Sequence, residues 1–253
     1  MEIVTIGKAR INNITQAEAI QQIDRLIARG EQGSVVTPNL DHIVKLEADA
    51  EFAECYSNAA LVLVDGNPLL WAARLLGTPL RSLVTGSDLF PALCKHAVAK
   101  RYRLFFLGGR EGVAEKAAVR LAAKHPGLEV VGTYCPPFGF EKDEAENSKI
   151  IGLINDVQPH ILFVGLGAPK QEKWIDQNLR RLQANVALGI GASFEFEAGT
   201  TMRAPQSVRQ IRMEWFWRFT TEPRRLFRRY FIDSFSFLPI IWRQWQQQDR
   251  IEK

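Results

Sequence analysis

Apolar residues fall along this chain in short runs separated by polar segments with helical spacing. Ile161-Leu162-Phe163-Val164 is the plainest run, four apolar residues without alternation, the mark of a strand buried on both faces. Runs at 61–64, 104–107 and 186–188 read the same way, and 34–37, 83–84 and 128–131 read as further short strands. Between them lie amphipathic segments. Thr15-Gln16-Ala17-Glu18 forms a capping box, followed at helical spacing by Ala19, Ile20, Ile23, Leu26 and Ile27, with Gly30 and Gly33 ending the helix. Pro38-Asn39 stops the next strand, and a helical, partly polar segment runs to about Asn58. Other helices carry Leu69, Leu70, Trp71 and Leu75, start at Thr85-Gly86-Ser87-Asp88, run from about 111 to 124, and cover 150–157. Strands alternating with helices over short turns predict an α/β fold: a mostly parallel, Rossmann-like sheet with helices on both faces.

The pattern changes from about Pro205. Arg203, Arg209, Arg212, Arg218, Arg224, Arg225, Arg228 and Arg229 face only Glu214 and Glu222, and eleven aromatic residues crowd between Trp215 and Trp245. Strand punctuation disappears. The reading is an α/β domain over 1–200 and an arginine- and aromatic-rich helical appendage over 201–253, interrupted at Pro223 and Pro239. Three roles are open to such a tail: lying on an anionic membrane, binding nucleic acid, or presenting a solvated structural face. Arginine interleaved with tryptophan, and the run Phe235-Ser236-Phe237-Leu238-Pro239-Ile240-Ile241-Trp242, favour the membrane.

Composition narrows the class. At 253 residues and 46 % hydrophobic content the chain can bury a large core, and its net charge is only +4. Cys55, Cys94 and Cys135 are widely spaced and odd in number, which suits reduced thiols in a cytosolic setting. The N-terminus has no basic region followed by a long apolar stretch, so no signal peptide is expected, and no run approaches the ~20 apolar residues that span a bilayer. The four histidines are scattered without metal-ligand spacing, and no D-x-D pair exists to hold a magnesium nucleotide, so neither metal nor cofactor is expected.

Ligands of open α/β sheets sit outside the carboxyl ends of the strands. Thr37, Asn39, Asp65, Thr85, Ser87, Asp88, Gly108, Gly109, Tyr134, Gln171, Gly189 and Gly191 follow the predicted strands and so mark the expected pocket. Asp65 directly follows a buried strand and precedes a glycine. It is placed either to take a proton from a substrate hydroxyl or to cap the next helix. Gly108-Gly109 before a helix either cradles a phosphate or makes an ordinary turn. The stretch from Gly165 to Trp174 is a strand, a glycine turn and a helix start with Pro169 in its first turn, again either a ligand site or a plain βα turn. A nicotinamide-dependent oxidoreductase is disfavoured, because no full G-x-G-x-x-G follows the first strand.

These motifs together resemble the WecG/TagA/CpsF family of bacterial glycosyltransferases, glycosyltransferase family 26. The resemblance covers about 36–230 and rests on Thr37-Pro38-Asn39, Asp65-Gly66, Thr85-Gly86-Ser87-Asp88, Phe106-Leu107-Gly108-Gly109, the Gly165 to Trp174 stretch, Gly189-Ile190-Gly191-Ala192-Ser193-Phe194, Arg203-Ala204-Pro205, Glu214-Trp215 with Arg218, and Glu222-Pro223-Arg224-Arg225. It implies inverting transfer from a UDP-sugar to a polyprenyl-diphosphate-linked saccharide, by a peripheral protein at the cytoplasmic face of the inner membrane. Asp65 matches the family's general base. Thr37, Asn39 and Gln171 match residues near the donor sugar. Arg218, Arg225 and Arg228 match arginines that fold over the site and meet the donor diphosphate. The tail matches a membrane-docking element, with no role for nucleic acid. Gly108, Gly109 and Tyr134 complete the expected substrate-binding set. Two positions depart from the pattern. Leu83 stands where the family has arginine, which leaves Arg81, two residues earlier, as the candidate replacement, and Glu195 stands where aspartate is common. Glucose, N-acetylmannosamine and N-acetylmannosaminuronic acid are all open as donor sugars. The rival reading is a membrane-associated nucleotide-binding protein without catalysis.

Overall fold

A computed structural model of the chain describes residues 1–202, 204, 205, 217 and 233–251. Six strands make one sheet: β3 (Gly33–Val36), β4 (Leu61–Val62), β5 (Arg103–Gly108), β6 (Glu129–Tyr134), β7 (Ile161–Gly165) and β8 (Val186–Gly189). Their order is β4-β3-β8-β7-β5-β6, and every neighbouring pair is parallel. The α/β class read from the apolar runs is therefore the observed one.

Side chains alternate across this sheet, and each face has its own helices. Val35, Leu61, Leu63, Phe106 and Phe163 pack beneath α1 (Gln16–Ala28), α5 (Gly86–Lys100), α6 (Val113–Lys124) and α9 (Ser193–Ala198). On the other face Val36, Val62 and Val64 meet α2 (Leu40–Ala48), α3 (Ala50–Asn58) and α4 (Asn67–Leu75), while Phe105, Leu107, Leu162 and Val164 meet α7 (Glu144–Val157) and α8 (Lys170–Asn178). The helix after β5 thus lies on one face and the helix after the adjacent β7 on the other. Neighbouring strands whose successors part to opposite faces open a crevice at their carboxyl ends.

The capping box forms as expected: the Thr15 N–H donates to Glu18 Oε2 at 2.7 Å, and the Glu18 N–H donates to Thr15 Oγ1 at 3.3 Å. Several boundaries differ from expectation. Gly33 opens β3 and does not end the helix before it. The helical segment to Asn58 is two helices, broken at Asp49, whose carboxylate caps the second through the Phe52 N–H. Residues 83–84 form no strand; only the Val84 N–H reaches across, to the Val64 carbonyl. Tyr134 ends β6 where a loop was expected to start.

Two elements were not anticipated from the sequence. An antiparallel hairpin joins β1 (Ile3–Ile6) to β2 (Ala9–Asn12) through Gly7 and Lys8, with Val4, Ile6, Ala9 and Ile11 buried. The second element is α9 itself. The terminal helix α10 (Asp233–Ile251) runs through Pro239, which was expected to interrupt it. Phe237 and Ile241 bury into the cluster shared with α2 and the hairpin, and Gln244 accepts from the Gly7 N–H at 2.9 Å and donates to the Thr5 carbonyl at 2.8 Å. Burial of two such side chains contributes roughly 3–6 kcal/mol, enough to offset the ~3 kcal/mol cost of an internal proline. Pro223 lies outside the described residues.

Candidate active site

The carboxyl rim of the sheet reads in space as Asp65 after β4, Thr37 and Asn39 after β3, Gly189 to Gly191 at β8, Gly165 to Gln171 after β7, Gly108-Gly109 at β5, and Tyr134 at β6. Five strand steps separate the ends of this row, about 24 Å at the usual spacing. Asp65 and Tyr134 therefore lie at opposite ends, and the row is long enough for an extended ligand.

The Asp65 end is compact. The Asp65 N–H donates to the Pro38 carbonyl at 2.8 Å, which ties the two strand ends together. Gly66 takes φ +106°, and a Cβ built on it would lie 4.0 Å from Asn39 Cβ. The N-cap position of α4 falls on Gly66, so Asp65 is not the N-cap of that helix. Asn39 is the N-cap of α2, its Oδ1 accepting from the His42 N–H at 3.3 Å. His42 in turn pairs through Nδ1 with the Tyr56 hydroxyl at 2.7 Å. Burial and the surrounding carboxylates, Glu172 and Asp65 among them, hold the Tyr56 phenol well above its ordinary range, so it stays protonated.

The N-terminus of α5 enters the same end. A Cβ on Gly86 would stand 3.4 Å from Thr37 Oγ1 and 3.7 Å from the Gly189 carbonyl. Thr85 caps this helix, accepting from the Asp88 N–H at 3.1 Å and donating to Asp88 Oδ2 at 2.9 Å, so Asp88 serves the first turn of α5. The positive end of a 15-residue helix thus lies beside Thr37.

In the middle of the rim only glycines fit. A Cβ on Gly165 would meet Phe194 Cδ2 at 2.7 Å, and one on Gly108 would meet the Gly165 carbonyl oxygen at 2.6 Å. The Gly109 N–H donates to that same carbonyl at 2.8 Å, so it is spent within the turn and does not project as an anion donor. Helix α6 begins later than expected, at Val113, with Gly112 at its N-cap.

Gln171, 4 % exposed, joins two turns. Its Oε1 accepts from the Gly167 N–H at 3.2 Å and the Gly191 N–H at 3.1 Å, and its Nε2 donates to Glu172 Oε1 at 2.8 Å. The residue expected beside a sugar is thus the clamp that shapes the rim. Glu172, which the sequence reading did not single out, is 2 % exposed, and burial pushes its carboxyl up to about 7. Its signal was its place beside Gln171 at a helix start, which the surrounding glycines overshadowed.

At the far end the Tyr134 hydroxyl is engaged with Glu146 and accepts from Lys149 Nζ at 2.5 Å, and Cys135 Sγ donates to the Gly109 carbonyl at 3.3 Å. Phe138 is fully exposed on the following loop, with Lys170 Nζ 5.2 Å above its ring. Arg81 is held by Glu18, its Nη1 lying 3.0 Å from both carboxylate oxygens, while its backbone N–H donates to Asn13 Oδ1 at 2.8 Å. That guanidinium is held by the Glu18 carboxylate of the capping box at the start of α1. Arg218, Arg225 and Arg228 lie outside the described residues. Among the described residues no cluster of three or more His, Cys, Asp or Glu side chains is arranged to hold a metal ion, and no helix is long and apolar enough to cross a membrane.

Comparison with known proteins adds a family to this geometry. An N-acetylglucosaminyldiphosphoundecaprenol N-acetyl-beta-D-mannosaminyltransferase of Bacillus spizizenii is 32 % identical over 191 residues, covering 76 % of this chain and 72 % of the relative. The protein of the same name from Staphylococcus aureus is 26 % identical over 228 residues, 89 % of this chain and 87 % of the relative. The family described as glycosyl transferase WecG/TagA/CpsF matches residues 4–251, nearly end to end. On that match the chain belongs to the WecG/TagA/CpsF family of glycosyl transferases.

Proposed function

We propose that this protein transfers N-acetylmannosamine from a UDP-sugar to a polyprenyl-diphosphate-linked N-acetylglucosamine, with inversion, in the assembly of a bacterial surface polysaccharide. The donor sugar and acceptor follow the names of the relatives. The observation that carries the reading is the meeting of Asp65, Thr37, Asn39 and the α5 N-terminus at one end of a long polar rim. In this reading the sugar lies at the β3–β4 end, and the nucleotide extends toward the crevice between β7 and β5. Asp65 takes the proton from the acceptor hydroxyl as its oxygen attacks the anomeric carbon, and UDP leaves from the opposite side. The α5 N-terminus and the arginines Arg218, Arg225 and Arg228 stabilise the charge that grows on the leaving diphosphate. With arginines in that role the reaction requires no divalent metal.

The protein works at the cytoplasmic face of the inner membrane in this reading. Phe235, Leu238 and Trp242, at 73 %, 64 % and 59 % exposure, share the outward side of α10, while Phe237 and Ile241 face inward. A helix held by one apolar stripe and presenting a second suits an anionic lipid surface.

The test is incubation of the full chain with a synthetic lipid-diphosphate-N-acetylglucosamine acceptor and a panel of UDP-sugars, with and without EDTA. Disaccharide formed from UDP-N-acetylmannosamine in the presence of EDTA is the expected result. UDP binding without turnover of any donor would favour the non-catalytic nucleotide-binding reading.

A further inference from the structure

The side chain next to the clamp has no role in the reaction just described. Glu172 lies in the first turn of α8, facing inward between α2 and α3. One of its oxygens accepts from Gln171 Nε2, and the other, Oε2, is buried without a hydrogen-bond partner. Among the described residues the charged and titratable groups around it are Asp41 and Lys45 on α2 and Cys55 and Tyr56 on α3, with His42 of α2 paired to the Tyr56 hydroxyl. Among them the cation that acts on Glu172 is Lys45, which is itself paired with Asp41 at 2.8 Å.

An amide side chain is nearly the same shape whichever way it faces, so its partners decide its orientation. Three partners set Gln171: two glycine N–H groups demand its oxygen, and Glu172 demands its nitrogen. Reversal would set donors against the Gly167 and Gly191 amides. Both glycines have positive φ, with open space where a side chain would stand.

Resting on the UDP-sugar reading, we propose that Glu172 is a positioning residue for the transfer: it holds the Gln171 amide in the orientation that joins the turns at Gly167 and Gly191, and the charge on its carboxyl tunes donor binding. A neutral Glu172 keeps the clamp and adds no charge to the wall of an anion site. An ionised Glu172 keeps the clamp and places a weakly screened negative charge behind turns that must accept a diphosphate. The donor is a dianion throughout the neutral range, so its own charge does not change with pH there.

The experiment compares the full-length wild type with Glu172→Gln and Glu172→Met, using UDP-N-acetylmannosamine between pH 5.5 and 8.5. In the wild type the donor KM rises on the order of tenfold as pH passes about 7, without a matching fall in kcat. Glu172→Gln still offers an oxygen to Gln171, so it keeps the low KM and loses the rise. Glu172→Met raises KM at every pH. A Gln variant that keeps the wild-type rise, or a Met variant with wild-type KM throughout, would overturn the proposal. A readout independent of turnover is the 15N–1H signal of the Gln171 side-chain amide in the protein without substrate. It moves with a midpoint near 7 in the wild type and stays put in Glu172→Gln. A stationary wild-type signal overturns the proposal, whereas absence of turnover with every donor, alongside a titrating signal, counts against the UDP-sugar reading alone.

Discussion

Replacing Glu172 by Gln also makes a prediction about the fold. In the folded protein burial raises this carboxyl from the ordinary 4.5 to about 7, so between those values the folded chain holds a proton that the unfolded chain has released. Stability must then fall as pH rises through this window and level off above it. At about 1.36 kcal/mol for each tenfold difference in proton affinity, the total loss is on the order of 3 kcal/mol. At 2 % exposure the group needs no discount for solvent screening. Glu172→Gln removes the titration and with it that slope. The assay is urea unfolding of both proteins at pH 5 and pH 8.5, followed by circular dichroism. The buried amide adds its own cost at both pH values, so it cancels when the change between them is compared. Wild type should lose about 2–3 kcal/mol more than the variant across the interval, or several degrees more in melting temperature. Equal losses would mean that Glu172 is already ionised at pH 5, and the burial argument would fail.

Three further outcomes follow from the site. Asp65→Asn should lower kcat by roughly 10²–10⁴-fold with little change in donor KM; near-normal turnover would reject Asp65 as the base. Gly189→Ala places a methyl 2.7 Å from Gln171 Nε2, and because three hydrogen bonds hold that amide the clamp must move. Donor KM should rise several-fold while the far-ultraviolet spectrum is unchanged, and an unaltered KM would show that the clamp is not part of the donor site. Serine at Phe235, Leu238 and Trp242 together should weaken sedimentation with anionic vesicles by on the order of tenfold or more, leaving stability intact because these side chains face outward; unchanged sedimentation would remove α10 from the membrane contact.

How far the sequence could be read depended on the range of the interactions involved. Short apolar runs punctuated by glycine announced the parallel sheet because burial on both faces removes polar alternation, and the cap at Thr15 was visible because its partner Glu18 is three residues away. The hairpin at the N-terminus carried an equally local signal. Val4 and Ile6 alternate with polar or exposed positions, and Gly7-Lys8 is a two-residue turn. Each strand has only four residues, the shortest length at which alternation separates a strand from coil. Pro239 misled for the opposite reason: its local cost is real, but the packing that outweighs it comes from Phe237 and Ile241 meeting residues more than 190 positions earlier. The site divides along the same line. That Asp65, Asn39 and Gln171 sit at strand ends followed from position alone. That Gly165 must be glycine because of Phe194, and that Gln171 is a clamp as well as a neighbour of the donor, depends on contacts across β7 and β8 that no window of sequence contains. Arg81 shows the consequence. Two residues of extended chain would bring it to the face that Leu83 occupies, but no strand forms there, and Glu18, 63 residues away in sequence, takes the guanidinium into the start of α1. In the proposed reading the guanidinium groups that meet the diphosphate are then those the chain carries beyond residue 205, where arginine is most frequent.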